Sequence, residues 1–374
     1  PLMEQLTSRL LEALRQTQTM LKQLWPGTRR LALHPHIRTA LLALMMGTLA
    51  MTMVMGPRAG PWNWTAEEQE QTLERIPGYF NDDGAQGVYL HWQFHQALQE
   101  GNITLRDTNQ LHPIGTPRPQ LDGGNRLEML LSSMMRLFFE WPSWMTWTVL
   151  LRIPINTLAF LPLGLRIWER RSPAIAAGIT WAIMPAVIEQ MAAGRLTQVC
   201  MVGIPLALAG ILGVVEEGRK RDIWMAGLGM ALTAFGYWFY ALFVLALCPL
   251  FILHGLHRRG VSSFRQVPDQ LTPIFLTLVK AAGITFAAVL PLAIHVFWPK
   301  LTGGKMPLPQ MDVAHMPMQF ADALQLQGEQ TRGTQHWLPW IIIPGMVFSL
   351  WKGKRRLLWL GCALACVAFA LGPA

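Results

Sequence analysis

Residues 196–215 read LTQVCMVGIPLALAGILGVV, an uncharged run bounded by Arg195 on one side and by Glu216, Glu217 and Arg219 on the other. A helix rises 1.5 Å per residue, so about 20 apolar residues cross a hydrocarbon layer of about 30 Å. This run is therefore a candidate transmembrane helix. Working outward, comparable runs occupy Thr39–Met55, Ser143–Leu165, Ser172–Met191, Thr272–Phe297, Trp337–Trp351 and Leu357 to the end. Ile223–Leu256 is too long for one crossing. Its aromatic knot Tyr237-Trp238-Phe239-Tyr240, made of types that favour the membrane–water interface, divides it into two. The expected fold class is all-α: a polytopic membrane helix bundle of about nine spans, with a large, partly helical first extracytoplasmic loop.

Composition agrees. Of 374 residues, 52% are hydrophobic and only 14% charged, against about 25% charged in an average soluble domain. That deficit argues against a soluble enzyme, and the apolar content excludes disorder. The 31 Lys and Arg outnumber the 22 Asp and Glu, for a net charge of +9. These basic residues sit between apolar runs, so the expected partners are membrane lipids and not nucleic acid.

With the amino terminus placed in the cytoplasm, every short inner connection is basic. These connections hold Arg166, Arg170 and Arg171, then Arg219, Lys220 and Arg221, then Arg258, Arg259 and Arg265, and finally Lys352, Lys354, Arg355 and Arg356. This is the positive-inside pattern. The two long connections, 56–142 and 298–336, fall outside. Residues 1–38 form a basic arm, in which Leu6, Leu10, Leu14, Leu21 and Leu24 recur near helical spacing with Arg9, Arg15 and Lys22 between them. That reads as an amphipathic helix on the inner leaflet. Residues 39–374 form the membrane domain. Residue one is Pro1, not Met, and the final apolar run stops without a flank, so the chain is expected to be truncated. Cys200, Cys248, Cys362 and Cys366 all fall in spans, which implies packing and no disulfide framework. The sequons at Asn63 and Asn102 read as chance matches.

The 56–142 connection is far longer than a simple link between helices. Thr65-Ala66-Glu67-Glu68 is a capping box that would open a short acidic helix from Ala66 to about Arg75, with Trp62 and Trp64 before it. Asn81-Asp82-Asp83-Gly84 then starts a second helix, expected to run to about Gln99, to bury Leu90, Phe94 and Leu98, and to end at a Gly101 cap. Asp82 and Asp83 have a structural reading as caps that complement the helix dipole. Their functional reading is a carboxylate at the outer boundary, acting as a base or holding a divalent cation. His91 and His95 share a helix face, which suits a metal. However, Trp92-Gln93 follows His91, so the zincin glutamate is missing and packing is the plainer reading.

Three stretches together resemble the GT-C superfamily of multi-spanning membrane glycosyltransferases, particularly its bacterial members. The first is the acidic residue after span one, with the helix ending Ala97-Leu98-Gln99-Glu100-Gly101 and the Pro113-x-Gly115 turn. The second is Gly194-Arg195-Leu196-Thr197, followed by Ile204-Pro205-Leu206. The third is Tyr237-Trp238-Phe239-Tyr240, with Ala370-Leu371-Gly372-Pro373 near the end. The likeness covers Thr39 to Ala374. It implies a bacterial inner-membrane enzyme that takes a sugar from a polyprenyl-phosphate donor and passes it to an envelope acceptor at the extracytoplasmic face. The family's acidic residue maps to Asp83 or Asp82. Relatives often carry Gly-His where this chain has Gly194-Arg195, so a role for that histidine does not transfer. Relatives also continue with further helices and often an outer domain.

Direct displacement at a sugar carbon needs a base for the acceptor, positive charge for the departing phosphate, and exclusion of water. Asp83 or Asp82 could supply the first. Arg195, Arg126 or a bound divalent cation (Mg or Mn, on Asp83 and His91) could supply the second. Glu189 lies about one turn inside the membrane edge, where an ionisable residue is a functional candidate by default, and pairing with Arg195 is its structural reading. Arg152 and Lys280 are also intramembrane, and snorkelling or contact with a lipid phosphate accounts for each. Trp62, Trp64, Trp92, Trp298 and Tyr237 could stack on sugar rings, or simply anchor the interface. The competing reading is a transporter or flippase with Glu189, Arg152 and Lys280 along its path, although no inverted repeat is visible. A non-catalytic membrane subunit of an envelope assembly complex is the third.

Overall fold

The computed structural model describes residues 35–55, 82–99, 101, 106–107, 116–117, 127–140, 143–192, 196–261, 263–301, 355, 357–362 and 364. The expected span Trp337–Trp351, the helix from Ala66, the 298–336 connection beyond residue 301, and most of the basic arm lie outside these residues.

Twelve helices are described in order. They are α1 (Pro35–Met55), α2 (Asp82–Gln99), α3 (Leu127–Arg136), α4 (Ser143–Leu150), α5 (Arg152–Trp168), α6 (Arg171–Ala182), α7 (Pro185–Ala192), α8 (Leu196–Val199), α9 (Gly203–Glu216), α10 (Lys220–Gly236), α11 (Trp238–Arg258) and α12 (Val267–Leu301). A further helical turn occupies 357–362. The only extended pairing among the described residues is two residues on each side: β1 (Arg106–Asp107) runs antiparallel to β2 (Thr116–Pro117). Among the described residues four stretches are long and apolar enough to cross a membrane, Ser143–Trp168, Leu196–Glu216, Trp238–Arg258 and Val267–Pro291, which suggests a membrane protein.

Close backbone approach holds the bundle together. Helices α9 and α10 form an antiparallel hairpin in which Gly203 meets Thr233, Ala207 meets Gly229, Gly210 meets Ala226, and Gly213 meets Asp222. Without a hydrophobic drive between helices in lipid, small residues that let backbones touch are what make such a seam stable. Gly47 of α1 plays the same part against α5, since a Cβ there would lie 2.8 Å from Pro154 Cα. Helices α5 and α6 turn through Glu169, a non-glycine residue at φ 56°, whose N–H caps the Leu165 carbonyl.

Two expectations about breaks met different outcomes. Ile223–Leu256 does divide at the aromatic knot: α10 ends at Gly236, Tyr237 is extended, and α11 begins at Trp238. Ser172–Met191 is not one helix. It breaks at Ile183–Met184 into α6 and α7, because a proline at position 185 disfavours helical backbone in the residue before it.

The basic connections gather at one end. Arg166 of α5 pairs with Asp222 and approaches Glu217 at 4.0 Å, while Arg219 holds Glu217 at 2.5 Å. Glu216 accepts from Arg355 at 2.7 and 2.9 Å and meets His254 of α11 at 3.0 Å. Arg355 also reaches the Arg166 carbonyl, and Arg259 the Val215 carbonyl at 3.4 Å. Three connections expected on one membrane side thus share one ion network, and Arg259 of a fourth joins it through a backbone carbonyl.

Candidate functional site

The opposite end holds a different kind of charge. Helices α4 and α5 form one rod: Leu151 N–H donates to Trp147 and Ile155 N–H to the Leu151 carbonyl, so the ladder runs through the turn. This rod carries Arg152 into the apolar interior. Arg152 is 1% exposed, and none of its three guanidinium nitrogens has a hydrogen-bond partner among the described residues. Burying an arginine in a bilayer costs about 2.5–3.5 kcal/mol even on lenient scales, so a cation kept there calls for an anion or a ligand.

Three groups act on Arg152 through space: Glu128, Cys200 and His91. Glu128 opens α3 and is fully buried, with Ser132 and Ser133 buried on the same helix. Ser132 is satisfied by the Met129 carbonyl at 2.8 Å. Cys200 lies at the corner between α8 and α9, and Asn156, one turn beyond Arg152, fixes that corner. Its amide donates to the Val199 carbonyl at 2.9 Å, and its Oδ1 accepts from Met201 N–H at 3.2 Å. The hydroxyl of Tyr240 donates to the Gln198 carbonyl at 3.0 Å.

Helix α2 closes the cluster. It runs Asp82–Gln99 and stops at Gly101, whose φ of 65° and hydrogen bond to Leu98 make it the expected cap. Its buried face is not the expected one. His91, His95 and Ala97 are buried, whereas Leu98 is 50% exposed and Leu90 and Phe94 only half-buried. The neighbours of this face include polar groups: α2 packs on α3, and its two buried imidazoles come under the influence of Arg152 and Arg136. Burial and the Arg152 guanidinium hold His91 well below its ordinary value, down to about 3. Burial and Arg136 lower His95 as well. Both imidazoles are therefore neutral near pH 7, and neither Nδ1 has a partner among the described residues. Arg136 locks the helix from outside, donating to the Trp92 carbonyl at 3.4 Å and lying 5.4 Å over the Trp144 ring.

Asp82 and Asp83 form the first turn of α2, about 12–14 Å along its axis from His91. Their side chains, and that of Glu189 in α7, lie outside the described part, as do Arg126 and Arg195 altogether. Trp92 is 37% exposed on the outer face of α2. The Tyr237 ring packs edge-on against Tyr240 at 5.0 Å and beside Phe239 at 5.2 Å. Of the two groups expected to share a cation, His91 lies beside the Arg152 guanidinium, and the Asp83 carboxylate lies outside the described part.

Sequence reasoning found Arg152 and His91 separately but missed Glu128 and Asn156. A polar face at Glu128 and Ser132, one turn apart on an otherwise apolar helix, was the available signal. Around Arg152 the structure thus brings together His91 of α2, the α8–α9 corner held by Asn156, and Tyr240 through Gln198. No protein-family model, no curated protein and no solved structure matches this chain, so its function has to be argued from this cluster.

Proposed function

We propose that this chain is an integral membrane glycosyltransferase that moves a sugar from a polyprenyl-phosphate donor to an envelope acceptor at the extracytoplasmic face. The observation that carries this reading is Arg152, a buried guanidinium without a hydrogen-bond partner among the described residues, beneath a helix that begins with two carboxylates. A guanidinium presents a planar fork that matches phosphate oxygens, and an arginine held dry binds them more strongly than one in water. In the reaction, an acceptor hydroxyl attacks the anomeric carbon. The sugar–phosphate C–O bond breaks, and its electron pair leaves with polyprenyl phosphate. Asp83 or Asp82 takes the hydroxyl proton. Arg152 steadies the phosphate as its negative charge grows, with neutral His91 beside it.

The test uses full-length protein in proteoliposomes with labelled polyprenyl-phosphate sugars. Wild type transfers label, and Asn at position 82 or 83 lowers the rate by about a hundredfold or more. Absence of transfer by wild type, or transfer at the wild-type rate by both Asp82→Asn and Asp83→Asn, overturns the reading. Transport is the second reading. It is favoured by the row of buried ionisable groups, Arg152, Glu128 and His91, inside the bundle. Substrate-driven flux across the same liposomes without transfer selects it.

A further inference from the structure

Near the basic end, helices α10 and α12 touch and then part. They touch where Gly227 fits under Ala281 and Ile284, and the Thr285 hydroxyl donates to the Gly227 carbonyl at 3.0 Å. Beside that contact opens a groove of about 690 Å³. Its walls are apolar: Trp224 is 57% exposed and Leu228 46% exposed, facing Gly283 and Ala287. Two cations stand in it, Lys220 at the first turn of α10 and Lys280 of α12. Lys280 adjoins the Gly227 contact, seven residues up α10 from Lys220, so the two backbones differ in height by about 10 Å. Lysine stems on this scale can bring both ammoniums to one headgroup by snorkelling.

Neither lysine is paired with a carboxylate among the described residues. This sets the groove apart from the neighbouring network, where Arg166, Arg219 and Arg355 all have acidic partners. Two ammoniums without a carboxylate partner among the described residues, at the mouth of an apolar slot between helices, complement a molecule with an anionic head and an acyl tail.

We propose that this groove binds one anionic phospholipid of the bilayer. Its phosphate lies between Lys220 and Lys280, and one acyl chain runs along Trp224, Leu228, Gly283 and Ala287. The proposal is independent of sugar transfer, because it uses the end of the bundle away from Arg152.

Native mass spectrometry of the full chain, titrated with phosphatidylglycerol or phosphatidylcholine, tests it. Wild type should retain one phosphatidylglycerol about tenfold more tightly than phosphatidylcholine, and the double variant Lys220→Ala/Lys280→Ala should lose that preference. Arg170→Ala/Arg171→Ala, basic residues outside the groove, should keep it. Gly283→Leu supplies a readout that leaves charge alone. A Cβ at Gly283 meets nothing within 4 Å, so the fold tolerates it while the side chain fills the slot. This variant should lose the bound lipid too. Four results overturn the proposal: no head-group preference in wild type, lysine variants that bind like wild type, Gly283→Leu binding like wild type, or capture of polyprenyl phosphate in preference to phosphatidylglycerol.

Discussion

The two ends of the bundle treat buried charge in opposite ways. At the basic end, Glu216 lies between His254 and Arg355, and Asp222 takes Arg166; these side chains are 0–14% exposed and each has an opposite charge within hydrogen-bond range. At the other end, Arg152 and His91 are as deeply buried, yet the guanidinium nitrogens and the His91 Nδ1 lack a hydrogen-bond partner among the described residues. Burial alone therefore does not distinguish a structural charge from a working one. A charge that the fold has already satisfied has nothing left to offer a ligand. A charge left short of partners destabilises the empty protein and is relieved by an anion.

The sharpest way to break this contrast is to remove Arg152. Arg152→Met replaces a buried cation by an apolar chain of similar length. If the residue works on a phosphate, sugar transfer should fall by about 10²–10³-fold, the usual effect of losing one donor to developing charge. Thermal stability in detergent should hold or rise. Arg152→Lys keeps the charge without the planar fork and should recover only a small part of the rate. A variant that unfolds while its remaining folded fraction transfers sugar normally would make Arg152 a structural residue, and the contrast would be gone.

How far each end was legible in the sequence follows from the same physics. The basic end was legible because arginine and lysine cluster between apolar runs, and residues of those four connections do converge at one end. The break at Tyr237 was legible because interfacial aromatics have a place of their own. The Ile183–Met184 break was missed because apolar composition on both sides masked the effect of Pro185. The buried face of α2 was misread because a hydrophobic rule was applied to Leu90, Phe94 and Leu98, whereas the residues turned inward include His91 and His95. Glu128 was overlooked despite its spacing with Ser132, because an acidic residue in a long connection reads as solvated until a helix is laid over it. Nothing local in LEMLLSSMMR says that Arg152 lies beneath it.

The complementary change is Glu216→Ala. It leaves His254 and Arg355 buried without their acid, and removing one member of a buried pair costs about 3 kcal/mol or more. The melting temperature should fall by several degrees, while transfer per folded molecule stays near the wild-type rate. A selective loss of rate would mean that the basic end also takes part in function.

Acid should separate the ends more gently. His91 is neutral in the folded protein, while in the unfolded chain it protonates near about 6.5. The depressed value works against the protein as pH falls. The packing of α2 is at full strength above about 6.5 and weakens progressively as pH drops toward 3, because only the unfolded or detached helix accepts the proton. His95 acts in the same direction. Hydrogen exchange in 82–99, corrected for its intrinsic rate, should therefore speed up between pH about 7 and about 5, with 203–236 unchanged. His91→Leu should flatten most of that response. Equal acceleration in both segments would show that the effect belongs to the whole fold.

The smallest test falls on Tyr240, and it asks whether the Arg152 end is tuned or merely tolerated. Tyr240→Phe deletes one hydrogen bond, to the Gln198 carbonyl, and keeps the ring against Tyr237. The expected loss of stability is about 1 kcal/mol. The α8 turn that carries Gln198 leads directly into Cys200, beside Arg152, so loosening it should lower transfer a few-fold beyond what the stability change explains. Asn156 still holds the same corner through Val199 and Met201, which is why the effect stays small. If rate and stability fall together in Tyr240→Phe, as a structural brace predicts, the aromatic knot belongs with the ion network at the other end, and the site shrinks to Arg152 and the groups that act on it.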